Sequence, residues 1–116
     1  MKLTYAKSQQ RINRFCSLII KNRLMFQRGG ISIALKNRKK INIVGLVYHK
    51  KRPIGCCIIT NENIMFGYNI AVYVSPQYRR FGFGKRIMNY TKLNSDINCF
   101  ICCRNGSAAR NLYKEI

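Results

Sequence analysis

Two glycines, Gly82 and Gly84, stand where a strand pattern gives way to a helix pattern, and cationic side chains surround them. The cations are Arg79, Arg80, Lys85 and Arg86. Glycine lets the backbone approach a ligand closely, and the first amides of a helix, together with the helix dipole, attract anions. The spacing therefore predicts that the loop between Ser75 and Lys85 binds a diphosphate.

The elements that must position this loop follow from the hydrophobic periodicity. Runs rich in isoleucine and valine predict strands at residues 2–6, 41–48, 54–60, 64–74 and 97–103, and turn residues separate them. Helical spacing predicts helices at residues 8–29, 85–93 and 108–116, with an irregular connection over residues 27–40. A hairpin followed by strand, loop, helix and strand indicates one α/β domain, residues 1–116, whose mixed, mostly antiparallel sheet is flanked by helices.

The charge of the chain is strongly one-sided. Lysine and arginine number 22 against 3 aspartate and glutamate residues, a formal net charge of +19. Such a surface attracts polyanions, so nucleic acid or an acidic protein is the expected partner, with anionic lipid and a merely basic surface as alternatives. We expect the basic clusters at residues 11–23, 36–40 and 50–52 to lie away from the glycine loop, where the phosphates of a bound nucleotide cannot account for them.

The six cysteines do not form a recognisable metal or disulfide pattern. Cys56 and Cys57 are adjacent within a predicted strand, as are Cys102 and Cys103, so the members of each pair point to opposite faces. Cys99 and Cys102 have C-x-x-C spacing, but within a strand this spacing also separates the two thiols. We expect reduced, buried thiols, no metal, and a cytoplasmic protein without a membrane-spanning segment or a secretory signal.

The segment from Val72 to Met88, VYVSPQYRRFGFGKRIM, resembles the acetyl-CoA motif of the GNAT N-acetyltransferase family, whose core is R/Q-x-x-G-x-G/A after a strand. Downstream, Asn105, the pair Ala108–Ala109 and the run Leu112–Lys114 are similar to the family's N-x-x-A-x-x-L-Y-x-K segment. The resemblance covers roughly the C-terminal two thirds of the chain, and the glycine loop is its specific part.

The resemblance implies a GNAT-like sheet and acetyl-CoA as the co-substrate, with no metal. Backbone groups of the last strand before the loop would pair with the pantetheine arm, the loop amides would hold the pyrophosphate, and Asn105 would hydrogen-bond the pantetheine. Tyr113 would protonate the leaving thiolate. The implied cofactor-binding residues are Val72, Tyr73, Val74, Arg79, Arg80, Phe81, Gly82, Phe83, Gly84, Lys85 and Asn105.

Some residues depart from the family pattern. The spacing from Asn105 to Tyr113 is one residue longer than usual, so Gly106 is an alternative for the asparagine position. The chain stops at Ile116, where the family continues into further strands, so we expect a short version whose open sheet edge is either exposed or covered by a second copy or a partner chain.

The general base has several candidates. Glu62, in the turn before the fourth strand, is the nearest carboxylate, and we expect it to be the base. Asp96 and Glu115 are the other acids, and His49 is the one histidine. Tyr68 or Tyr73 acting through water is a further possibility, and the high positive charge would lower the pKa of a substrate amine by itself.

Two function classes follow. The first is an N-acetyltransferase that acts on an amine of a nucleic-acid-associated or acidic partner. The alternative is a non-catalytic GNAT-like module that binds nucleic acid or inhibits a host protein. The glycine loop favours the first, and the scarcity of acids and the missing strands favour the second.

Overall fold

The computed structural model describes residues 1–63, 67–95 and 101–103. In chain order its elements are strand β1 (Lys2–Ala6), helix α1 (Gln9–Lys21), helix α2 (Gly30–Leu35), strands β2 (Ile41–His49), β3 (Arg52–Asn63) and β4 (Gly67–Val74), helix α3 (Phe83–Leu93) and strand β5 (Ile101–Cys103). Single turns of 3₁₀ helix at Arg38–Lys40 and Pro76–Tyr78 precede β2 and the glycine loop.

The strands form one sheet in the order β1-β2-β3-β4-β5. The first four are antiparallel neighbours, whereas β5 runs parallel to β4. A parallel neighbour needs a crossover, and α3 supplies it. The β5 pairing extends from Tyr68 to Ile70, so within the described part of the chain the second half of β4 has no partner on that side. The expected mixed, mostly antiparallel sheet flanked by helices is confirmed.

The helices cover both faces of the sheet. α1 and α2 pack on one face through Ile12, Phe15, Cys16 and Ile19 of α1 and through Ile31 of α2. α3 packs on the other face, where Ile87 and Met88 are fully buried. The adjacent thiols follow the strand alternation, because Cys56 belongs to the first core and Cys57 to the second.

Helix α1 begins as expected but ends early. The Ser8 hydroxyl accepts a hydrogen bond from the Arg11 amide at 3.3 Å, a typical N-cap. The helix ends at Lys21 rather than near Gly29, because Arg23 takes a left-handed conformation with φ of 55°. The connection over residues 27–40 contains α2 and one 3₁₀ turn, so it is partly helical.

The β2–β3 hairpin is tighter than the sequence predicts. The turn was expected to span His49 to Pro53, but His49 pairs with Arg52 and only Lys50 and Lys51 form the loop. Pro53 lies in β3 opposite Tyr48. Residues 61–63, expected as a turn, belong to β3, because the pairing resumes at Asn63 after an irregularity.

The described thiols of Cys16, Cys56 and Cys57 form no disulfide. Burial raises the pKa of the Cys16 thiol and raises that of Cys56 well above its ordinary value, so both remain protonated and unreactive at neutral pH. Residues 1–63, 67–95 and 101–103 contain neither a helix long and apolar enough to cross a membrane nor a cluster of three potential metal ligands. The expected turn at residues 104–107 and the expected last helix at residues 108–116 lie outside the described residues.

Helix α3 rests directly on the sheet at Gly45 of β2. A Cβ at Gly45 would lie 3.2 Å from both Ile87 Cδ1 and Thr91 Cβ, and closer still to Thr91 Oγ1. Thr91 is fully buried, and its hydroxyl donates to the Ile87 carbonyl at 2.7 Å. The absence of a side chain at Gly45 therefore sets how closely α3, and the loop in front of it, approach the sheet.

Candidate functional site: the loop between β4 and α3

The loop after β4 is tied to the neighbouring strand before it turns into α3. The Ser75 amide donates to the Ile54 carbonyl at 2.8 Å. Ile54 is the extra residue of a bulge in β3, because Gly55 pairs with Val47 and Pro53 pairs with Tyr48. The start of the loop is thereby fixed to the base of the β2–β3 hairpin.

The turn into α3 requires glycine at one position. Gly82 caps the helix with φ of 80°, and beyond its chain neighbours no described residue has an atom within 4 Å of where its Cβ would be, so the requirement is conformational rather than steric. The first intrahelical bond runs from the Arg86 amide to the Gly82 carbonyl at 3.1 Å. The amides of Phe83 and Gly84 precede it and have no acceptor within the helix. With no acid in the first turn, this helix start suits an anion.

A cavity of about 310 Å³ lies between this helix start and the second half of β4. Its size is at the lower end for small-molecule sites. None of the described residues that line it is acidic, and four of them are aromatic. The lining residues are Phe26, Val72, Tyr73, Val74, Tyr78, Arg79, Arg80, Gly82, Phe83, Gly84 and Lys85.

The order of the elements, the cavity beside β4 and the glycine-capped α3 agree with the sequence comparison. Residues 40–116, more than half of the chain, match the family model described as an acetyltransferase (GNAT) domain. The chain belongs to the GNAT acetyltransferase family. No curated protein matches it significantly in sequence.

Solved GNAT structures share its fold. A ribosomal-protein-alanine N-acetyltransferase from Brucella melitensis biovar Abortus superposes with a TM-score of 0.61 at 12% identity, covering 100% of this chain and 89% of that one. An N-acetyltransferase from Staphylococcus aureus Mu50 gives 0.58 at 10% identity, covering 99% and 82%. A GNAT-family acetyltransferase from Streptococcus pneumoniae gives 0.58 at 14% identity, covering 98% and 82%. At these identities the likeness concerns the fold alone.

Most of the residues that the GNAT motif singles out line the cavity. Val72, Tyr73, Val74, Arg79, Arg80, Gly82, Phe83, Gly84 and Lys85 do so. Phe81 is not among the lining residues and is 68% exposed, and its ring centroid lies 6.1 Å from that of Phe83. Asn105 and Tyr113 lie outside the described residues, so their implied roles stay predictions.

The expected base, Glu62, is not next to the cavity. It lies in β3 five residues beyond Cys57, the partner of Val72, which at the rise of a strand is about 17 Å along the sheet. Its side chain is outside what the structure describes, and its role stays a prediction.

Two residues of the cavity wall were missed by the sequence reasoning, Phe26 and Tyr78. Tyr78 lies inside the recognised segment, and its ring packs 6.3 Å from Phe83. Phe26 comes from the segment between α1 and α2 and meets Tyr73 edge-on, with ring centroids 5.0 Å apart. No local pattern marks Phe26, because only the packing of α1 and α2 on the sheet brings it to β4.

Arg79 joins these parts of the site. Its Nε donates to the Val74 carbonyl at 2.9 Å, and its guanidinium lies 5.3 Å from the ring centroids of both Phe26 and Tyr73. The side chain thus holds the α1–α2 segment against the end of β4. In the described structure the guanidinium contacts protein groups, whereas the sequence reasoning had assigned it to the attraction of phosphate.

Replacing Arg79 with lysine should lower stability by about 1 kcal/mol, because lysine keeps the charge but loses the planar guanidinium and its bond to Val74. Thermal melts of the two proteins without ligand measure the effect. Arg80→Lys is the matched control, since none of the described contacts involves the Arg80 side chain, and it should melt like the wild type. Equal melting of the Arg79 and Arg80 variants would contradict the role assigned to Arg79.

Proposed function

We propose that this GNAT protein is an N-acetyltransferase that takes acetyl from acetyl-CoA and transfers it to an amine. The observation that carries the proposal is the cavity between the glycine-capped start of α3 and the second half of β4, which pairs with β3 but not with the described residues of β5. A strand edge beside an anion-binding helix start suits a ligand that joins a peptide-like arm to a diphosphate. Acetyl-CoA is such a ligand.

Each part of the cavity has a proposed task. The amides of Phe83 and Gly84, the helix dipole and the nearby cations bind the diphosphate. The backbone from Val72 to Val74 pairs with the pantetheine arm, and one of its amides stabilises the oxyanion that forms on the thioester carbonyl. As the nitrogen–carbon bond forms and the carbon–sulfur bond breaks, a base takes the proton of the amine and an acid protonates the thiolate. We assign the acid to Tyr113. We assign the base to Glu62 acting through a chain of waters, because it lies about 17 Å along the sheet from the partner of Val72, with water-mediated Tyr73, which lines the cavity, as the alternative.

We further propose that the amine belongs to a nucleic-acid-associated or acidic partner. The net charge of +19 supports this, as does a basic surface formed by residues 35–40. This surface encloses an open pocket with a volume of about 560 Å³. Lys36, Arg38, Lys39 and Lys40 contribute four cations there. This surface adjoins the start of β2, at the end of the sheet away from the glycine loop. It is therefore available to a macromolecule while the cavity holds acetyl-CoA.

A synthetic substrate tests both parts of the proposal. Calorimetry should first show acetyl-CoA binding to the wild-type protein with a stoichiometry of one. Labelled acetyl transfer is then compared between an oligonucleotide with a 5′-aminohexyl group and aminohexanol, which presents the same amine without phosphates. We expect kcat/KM to be about tenfold or more higher for the oligonucleotide at low salt, through electrostatic steering. Absence of acetyl-CoA binding would refute the enzyme, and equal rates on both amines would refute the polyanionic partner.

The salt dependence of nucleic-acid binding should show whether nucleic acid binds to the basic surface of residues 35–40. If the four cations of residues 36–40 contact phosphates, affinity for a single-stranded oligonucleotide should fall about 50-fold between 50 and 200 mM salt, and the slope of log K should be about −2.8. The double variant Lys36→Gln and Lys39→Gln should reduce that slope by about 1.4. A slope that the variant leaves unchanged would place the contact elsewhere.

One observation supports the alternative of a non-catalytic module. None of the described residues lining the cavity is a carboxylate that could act as a base. A protein that binds the oligonucleotide with the expected salt slope, but gives no heat with acetyl-CoA, would be such a module.

A further inference from the structure

The non-glycine residues with left-handed backbone share a chemical type. In the described ranges they are Arg23, Lys50, Lys51 and Arg80, with φ of 55°, 51°, 65° and 73°. All four are cations, although a left-handed conformation favours glycine, asparagine or aspartate. They lie in the segment after α1, in the β2–β3 turn and in the glycine loop. The turn and the loop meet at the end of the sheet where β4 leads into α3, because Gly55, near the turn, pairs with Val74.

The β2–β3 turn is the clearest case. A two-residue hairpin loop with positive φ at both positions is of type I′, for which Asn-Gly is the preferred sequence. This chain has Lys50 and Lys51 there instead. Both side chains are exposed and make no ion pair or side-chain hydrogen bond within the described residues. Two charges are therefore kept in a strained turn that gives them no partner in the part of the chain that the structure describes.

Aromatic contacts connect this turn to the diphosphate loop. The centroid of the His49 ring, next to the turn, lies 5.4 Å from that of Tyr78. The Tyr78 centroid in turn lies 6.3 Å from that of Phe83, at the first position of α3. The bond from the Ser75 amide to Ile54 joins the two segments through their backbones. The expectation that residues 50–52 lie away from the glycine loop is therefore wrong, because the turn stands next to it.

The side on which the turn lies indicates which anion it meets. Tyr78 and Phe83 belong to the core on the α3 face, whereas Phe26, Tyr73 and the α1–α2 segment lie on the other face. The turn is thus on the side of the helix start that suits the diphosphate. The anion nearest to a diphosphate in coenzyme A is the phosphate monoester on its ribose, which carries up to two negative charges at neutral pH.

We propose that Lys50 and Lys51 bind the ribose 3′-phosphate of coenzyme A. This inference rests on the proposed use of acetyl-CoA. Lysine binds a phosphate as a compact point charge, and a rigid turn holds two such charges together without ordering a long loop. The strain of the turn is then explained as the condition for placing these charges beside the diphosphate.

The double variant Lys50→Asn and Lys51→Gly separates an effect on stability from an effect on ligand binding. It gives the type I′ turn its preferred residues, so the melting temperature should rise. Its Kd for acetyl-CoA should nevertheless increase about tenfold or more, because two charge-assisted contacts are lost. A second variant, Lys50→Gln and Lys51→Gln, removes the charges and keeps the strain, so it should lose the same affinity without the gain in stability.

Acetyl-CoA that lacks the 3′-phosphate identifies the group that is bound. The wild type and both turn variants should bind this dephospho compound with equal affinity. The matched control, Lys36→Gln with Lys39→Gln, removes two charges at the other end of the sheet and should change the Kd for acetyl-CoA less than about twofold.

The outcomes distinguish this inference from the proposed function. If the wild-type protein does not bind acetyl-CoA, both the proposed function and the 3′-phosphate site are refuted. Turn variants that bind acetyl-CoA as tightly as the wild type, or that lose equal affinity for the dephospho compound, would overturn the 3′-phosphate site alone. A loss of affinity for acetyl-CoA in the turn variants, without a loss of affinity for the dephospho compound, would support the 3′-phosphate site.

Discussion

Gly84→Asp should weaken acetyl-CoA binding by about 100-fold or more and at the same time stabilise the fold. Gly84 lies at the second position of α3 and lines the cavity. A carboxylate there would face the diphosphate at close range, where the repulsion of like charges amounts to several kcal/mol. In the absence of ligand, the same carboxylate interacts favourably with the helix dipole and removes a glycine from a helix, each a gain of about 0.5–1 kcal/mol.

Gly84→Asn is the matched control, because it has nearly the same size without the charge. Calorimetry and thermal melts of both variants distinguish electrostatic repulsion of the diphosphate from steric obstruction of the cavity. We expect Asn to lose much less affinity than Asp, and the melting temperature of the Asp variant to exceed that of the wild type. If Asn and Asp lose affinity equally, the cavity is only blocked, and an anion need not bind at the helix start.

The parts of this site that sequence reasoning could predict are local. The strand that ends at Val74, the glycines and the apolar face of α3 all lie within about twenty consecutive residues. Local backbone chemistry determines their arrangement, since Gly82 needs positive φ and Ile87, Met88 and Thr91 recur at helical spacing. The order of the elements was accessible for the same reason.

The parts that sequence reasoning missed depend on packing over long distances or on rare conformations. Phe26 and Tyr73 are 47 positions apart in the sequence and meet because α2 packs against β4. The early end of α1 and the two-residue turn depend on Arg23, Lys50 and Lys51 in left-handed conformations. Propensity assigns such conformations to glycine and asparagine, so the sequence predicts that α1 ends near Gly29 and that the turn is longer than two residues.

The position of α3 links stability to binding. The amides proposed to hold the diphosphate are carried by this helix, and the helix rests on β2 at a residue that has no side chain. Close contact at Gly45 and the buried hydroxyl of Thr91 thus determine where Phe83 and Gly84 lie relative to β4. A change far from the cavity should reach it through this contact.

Gly45→Ala should therefore destabilise the protein by about 2–3 kcal/mol, since the added methyl group overlaps Thr91 and the core cannot expand without moving α3. Thr91→Ala alone should cost about 1 kcal/mol for its lost hydroxyl contact. The double variant should be more stable than the sum of the two changes implies, because removing the hydroxyl makes room for the methyl group. Chemical denaturation of the four proteins measures this coupling.

Acetyl-CoA affinity of the same four proteins then tests whether the helix position matters for the site. Below the melting temperature, Gly45→Ala should bind more weakly than the wild type, and Thr91→Ala should restore most of the loss. Additive stabilities would show that the two side chains do not meet. Restored stability without restored affinity would show that the helix start does not hold the diphosphate in the way proposed.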